Sequence, residues 1–244
     1  MIIIFLIRLV LIILTIYISV FFLWRTFERE HVDDVPMVLD RVFFASLIAW
    51  YLARIPSGID MVISQTIAPL SLLNPMVGAA SWQVAAILFC ILFYHSLREN
   101  WRDRYAVLDF AVVAIPIFLT GYFSWQVLTL ILSTLLTSAQ FPVGYFVTTV
   151  LGVIYFFGLS RLLVYFERQY RAYFWYRYRR SSAQTGFVTS VFCIGLGLFG
   201  ILHHIYLLPF TVLSLPMFLT VWSLFTMVGG FILLYIRSGR LKKR

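Results

Sequence analysis

IIIFLIRLVLIILTIYISVFFLW, residues 2–24, carries a single charge, Arg8, in a run long enough to cross a bilayer. A helix rises about 1.5 Å per residue and the hydrocarbon layer is about 30 Å thick, so about 20 apolar residues span it. A secretory signal has a shorter core and a small-x-small cleavage site. This run reaches Trp24 and Arg25 without such a site and reads as a first spanning helix. Residues 42–55, 79–96, 105–123, 143–166, 187–207 and 215–236 repeat the pattern, with boundaries good to a few residues. None shows the period of two of a barrel strand, and only helices and closed barrels satisfy the backbone in hydrocarbon. The expected fold is all-α, one transmembrane domain over residues 1–244 with seven membrane-spanning helices.

Composition excludes a water-soluble domain. The 244 residues are 62% hydrophobic and 12% charged, roughly half the usual charged share. The net charge of +9 lies at the ends of the apolar runs, which predicts a membrane partner and no nucleic acid. Cys90 and Cys193 each stand alone within an apolar run, so neither a disulfide framework nor a metal cage is expected.

Orientation follows from the arginines and lysines. Arg25 and Arg29 follow the first span; Arg98, Arg102 and Arg104 the third; Arg168, Arg171, Arg177, Arg179 and Arg180 the fifth; Arg240, Lys242, Lys243 and Arg244 the seventh. The opposite loops, 57–78, 124–142 and 208–214, contain none. The positive-inside rule then puts the N-terminus outside and the C-terminus in the cytoplasm. Residues 125–139, apolar but short, are expected as a re-entrant or interfacial helix on the outer face, since a full crossing would invert every later loop. Residues 59–73 are expected to be similar. The stretch 167–182, which interleaves arginine with tyrosine, Phe174 and Trp175, is expected as a loop on the inner leaflet.

A charge in hydrocarbon costs about 2.5–3.5 kcal/mol on insertion scales, so the few present are candidates for function. Arg8 and Arg161 lie near span ends, where a long side chain reaches the interface. Asp109, near the inner end of the fourth span, is expected to pair with Arg102 or Arg104. Arg54 closes the second span at the outer face, just before Pro56 and Gly58, with no other cation nearby in sequence. Its fork suits a lipid phosphate or a developing oxyanion. His203 and His204 are adjacent, so they cannot share one metal as an i, i+4 pair would; they read as residues of the outer interface. There is no phosphate loop, nucleophile elbow or zinc-protease motif, and no cofactor is expected. Any chemistry would use groups within the membrane, on lipid or a lipid-linked substrate.

The order of local features resembles the prolipoprotein diacylglyceryl transferase family, from about residue 40 to residue 240. LDRVFFASLIAWYLARI (39–55) is similar to its second helix, with Arg54 and Ile55 at the Arg-Leu/Ile positions of its Gly-Gly-Arg-Leu/Ile-Gly-Tyr ending. YAVLDFAVVAIP (105–116) resembles its Asp-x-x-x-Pro fourth helix, TGFVTSVFCIGLGLF (185–199) its sixth, and SLPMFLTVWSLFTMVGGFILL (214–234) its last. The resemblance implies seven helices, N-terminus out, in a bacterial inner (plasma) membrane. It also implies transfer of diacylglyceryl from phosphatidylglycerol to a prolipoprotein cysteine in lipoprotein biogenesis. It assigns Arg54 and Gln83 to catalysis and Tyr122 and Gln126 to the substrate, in one outward-opening cavity; His203 is a further substrate-binding candidate.

The chain departs from the family at three places. Gln83 stands at the histidine of the family's His-Gly-Gly-Leu motif, the arginine of Gly-Arg-x-Gly-Asn is missing from residues 121–125, and Leu198 replaces that of Leu-Gly-Arg-Phe. A second expectation follows: a catalytically inactive homologue that binds lipid or assembles with a membrane partner.

Overall fold

Each apolar run is helical in the computed structural model, whose elements are α1 (Ile2–Arg29), α2 (Val35–Leu52), α3 (Ile55–Ile63), α4 (Trp82–Ser96), α5 (Arg104–Val112), α6 (Ala114–Thr137), α7 (Val143–Tyr176), α8 (Phe187–Leu207) and α9 (Leu215–Arg237). The structure describes residues 2–29, 32, 34–64, 80–97, 104–137, 143–176, 185–207 and 215–237, and among these there is no strand. Among them, six stretches are long and apolar enough to cross a membrane: Leu9–Arg29, Val35–Ile63, Arg104–Leu135, Val143–Arg168, Phe187–His204 and Leu215–Arg237. Helix α4 is also apolar but only 15 residues long. The chain is a multi-pass membrane protein.

Side-chain burial fits that solvent. Phe27, Phe93, Phe123, Phe156 and Phe192 fill the interior with Leu163 and Leu196. Large apolar residues also cover the outside; Phe225 is 71% exposed and Phe43 63%, which is tolerable only against lipid. The closest packing joins α8 to α9, and further contacts join α6 to α7, α1 to α6 and α2 to α4. Small residues set these approaches. A Cβ on Gly197 would lie 2.5 Å from the Ser223 carbonyl oxygen and 2.7 Å from Met227 N, so only glycine allows this crossing of α8 and α9.

Proline shapes two long spans. Pro56 has no N–H and its ring crowds the preceding turn, and the helix is interrupted at Ala53 and Arg54 before resuming as α3. Pro116 does the same at Val113, between α5 and α6. Beyond Pro116 the structure differs from the expectation of a separate outer helix at 125–139: residues 125–137 continue α6 without a break. At 1.5 Å per residue the 24 residues of α6 reach about 36 Å, and α5 adds to that, so the rod exceeds the roughly 30 Å hydrocarbon layer without a second crossing. Similarly, the stretch 167–182 is no simple loop, since α7 runs for 34 residues to Tyr176. Of the expected outer segment 59–73, residues up to Ile63 belong to α3 and 65–73 lie outside the described residues. Arg98, Arg102, the arginines from Arg177 to Arg180, the loop 208–214 and the C-terminal basic cluster also lie outside them, as does the side chain of Arg8.

Contacts group the helix ends at two poles. At one, Arg29 of α1 lies 3.9 Å from Glu167 of α7, and the Arg237 guanidinium of α9 sits 3.7 Å from the centre of the Tyr105 ring on α5. Asp109 belongs to the same pole. Its carboxylate accepts hydrogen bonds from Gly186 N (2.6 Å), Thr189 N (2.8 Å) and Thr189 Oγ1 (2.6 Å). A carboxylate of α5 thus caps the start of α8, and Gly186, at φ +95°, takes the left-handed conformation that makes the turn into it. At the other pole the end of α2, the start of α4 and the end of α8 come together.

Candidate functional site

That second pole is built on the break at Pro56. The interruption turns the Ala53 carbonyl away from its own helix to accept the Ser81 N–H at 3.0 Å. Ser81 is the N-cap residue of α4, so the peptide leading into Arg54 is tied directly to the start of that helix. Ala53, Val84 and Leu219 pack together beside the junction with Trp222 against them, which keeps it dry.

The Ser81 hydroxyl donates to Gln83 Oε1 at 2.8 Å, and Gln83 Nε2 lies 2.5 Å from His204 Nε2 on α8. Gln83 and His204 are both buried, at 2% and 6% exposure. Their meeting depends on a bare patch of α8: a Cβ on Gly200 would stand 3.5 Å from Gln83 Cγ and would collide with the Ser223 hydroxyl. Gly197, Gly200 and His204 are spaced three and four apart, one face of the helix.

Arg54 lies over the Trp50 ring, its guanidinium carbon 4.4 Å from the ring centre. Of its guanidinium nitrogens, Nε and Nη1 are buried and have no hydrogen-bond partner among the described residues. Nδ1 of His203, Nδ1 of His204 and Nε1 of Trp222 share that condition. Arginine and tryptophan nitrogens only donate, so a group that completes this pole must be rich in acceptors.

The sequence candidates divide into two neighbouring clusters. Arg54 and Gln83 belong to the one just described. Tyr122 and Gln126 belong to the contact between α6 and α7, where the Tyr145 hydroxyl donates to Gln126 Oε1 at 3.1 Å and the Tyr122 ring lies 5.8 Å from Trp125. Trp82 and Phe123, ring centres 5.8 Å apart, join the two. His203 points into this aromatic seam, stacked on Phe199 at 5.6 Å and edge-on to Trp82 and Phe123 at 6.1 Å each. Its neighbour His204 makes the polar contact. Sequence reasoning passed over Ser81 and His204 as site residues; the one signal for His204 is its place on the Gly197 and Gly200 face. Arg161 is exposed on α7, over the Phe157 ring at 5.2 Å.

No family model, curated protein or solved structure matches the chain.

Proposed function

We propose that the chain is a diacylglyceryl transferase-like protein of the bacterial plasma membrane that holds a phosphatidylglycerol-like lipid by its phosphate at the Arg54 cluster. The observation that carries this reading is the pair of buried Arg54 nitrogens with no partner among the described residues. Arg54 is half-buried, and donor nitrogens shut off from water without partners are costly; a phosphodiester supplies both acceptor oxygens and the opposite charge. The protein crosses the membrane seven times, with α4 as the third span, N-terminus outside and C-terminus inside. The arginine-free loops at the Arg54 pole and the arginines near the Asp109 pole support that topology. Arg54 then serves the outer leaflet.

In the transfer reading, the thiolate of a prolipoprotein cysteine attacks the glyceryl carbon, the carbon–oxygen bond to phosphate breaks, and the phosphate leaves with the electron pair. Arg54 would stabilise that leaving charge. One observation favours this chemistry over binding alone: Gln83, at the position of the resembled family's histidine, is bonded to a histidine brought from α8.

Lipid retained through purification, measured by mass spectrometry, tests the binding step. Arg54→Ala reduces retained phosphatidylglycerol about tenfold relative to the unaltered protein, whereas Arg161→Ala leaves it nearly unchanged. Equal retention, or a larger loss for Arg161→Ala, overturns the assignment. The same preparations, given labelled phosphatidylglycerol and a lipobox peptide, yield a thioether product that depends on Arg54. Retained lipid without product instead means a lipid-binding homologue without turnover.

A further inference from the structure

Ser81, Gln83 and His204 form a chain of hydrogen bonds whose direction follows from the orientation of the Gln83 amide. The Gln83 amide faces Ser81 with Oε1, to which the hydroxyl donates, and faces His204 with its nitrogen. An amide nitrogen donates and does not accept. His204 Nε2, 2.5 Å away, is therefore the acceptor and carries no proton. A neutral imidazole with a bare Nε2 holds its proton on Nδ1, and an imidazolium, which has no bare nitrogen, does not fit the pair. That Nδ1 is buried without a partner among the described residues.

We propose that His204 is a ligand-binding donor of the site, its proton fixed on Nδ1 by Ser81 and Gln83 and offered to a phosphate oxygen. The identity of the ligand rests on the Arg54 reading above; the position of the proton rests on the direction of the hydrogen bonds alone. Arg54 supplies charge to the phosphate, and the neutral imidazole supplies a second donor from a different helix, so the two fix its orientation. Gln83 touches no ligand. It and Ser81 are positioning residues that act through His204.

Nitrogen NMR on the full-length protein labelled with ¹⁵N-histidine, in maltoside micelles free of phosphate, reads the proton directly. His204 is assigned by the resonances that His204→Gln removes. The expected result is a protonated Nδ1 and a bare Nε2; the reverse overturns the relay. Phosphatidylglycerol and inorganic phosphate are then added separately. A shift of Nδ1 with the lipid alone marks a headgroup seat, a shift with both marks a site for any phosphate oxygen, and a shift with neither overturns the donor role. Gln83→Leu, which keeps His204, spreads the proton over both ring nitrogens and lowers phosphatidylglycerol retention about tenfold. If Nδ1 is protonated and shifts with lipid while Arg54→Ala retains lipid normally, the Arg54 reading fails and the relay stands. If Nε2 is protonated, the relay fails whatever Arg54 does.

Discussion

Asp109 shows how much one carboxylate can organise. Its oxygens take two backbone N–H groups and a hydroxyl from the first turn of α8, a place where water is scarce and unpaired donors are costly. Asp109→Ala leaves these donors without acceptors and lowers stability by about 3 kcal/mol, read as a fall in the melting temperature in detergent. Thr189→Val removes only the hydroxyl bond and costs about 1 kcal/mol. A melting temperature unchanged by Asp109→Ala would mean that the cap contributes nothing. The sequence marks Asp109 as out of place in an apolar run, but its partners lie 77 and 80 residues away, beyond the reach of local spacing. The same limit hid His204. Two adjacent histidines look equivalent in sequence, and only the rotation of α8 against α4 turns one into the aromatic seam and the other toward Gln83.

Among the elements, α8 and α9 were the most legible, because each is an apolar run with abrupt ends; residues 187–207 are α8 as read. Runs whose helix outlasts the apolar stretch were not. Helix α7 continues to Tyr176 through polar and aromatic residues, since backbone hydrogen bonds do not stop where hydrophobicity does. That helix α6 continues past residue 123 was hidden, because the charge rule counts crossings and says nothing about length. Pro56 read as the end of the second span, whereas α3 carries that stretch on to Ile63, and nothing local showed that the Ala53 carbonyl would bond Ser81. The α8 and α9 seam is testable at its tightest point. Gly197→Val drives side-chain atoms into the α9 backbone and costs about 2–3 kcal/mol, whereas Gly158→Ala, with nothing within 4 Å of its new Cβ, causes no loss. Thermal melts of both variants check this, and equal melting temperatures would show that the two helices can separate without penalty.

For the whole molecule, the two poles make the topology measurable. In a variant lacking Cys90 and Cys193, a cysteine at Asn74 reacts with an impermeant maleimide in intact cells, whereas cysteines at Ser181 and Lys242 react only after permeabilisation. The opposite pattern would place Arg54 on the cytoplasmic leaflet and remove its proposed lipid supply. The contacts between distant helices also impose an order on biogenesis. The ribosome adds about 5–20 residues per second, so Asp109 waits about 4–15 s for Gly186, 77 residues later, to be made. For that interval α5 carries a carboxylate whose three partners at the start of α8 do not yet exist. The first half of the protein is therefore made before this lock can form, and α9, the closest neighbour of α8, comes last.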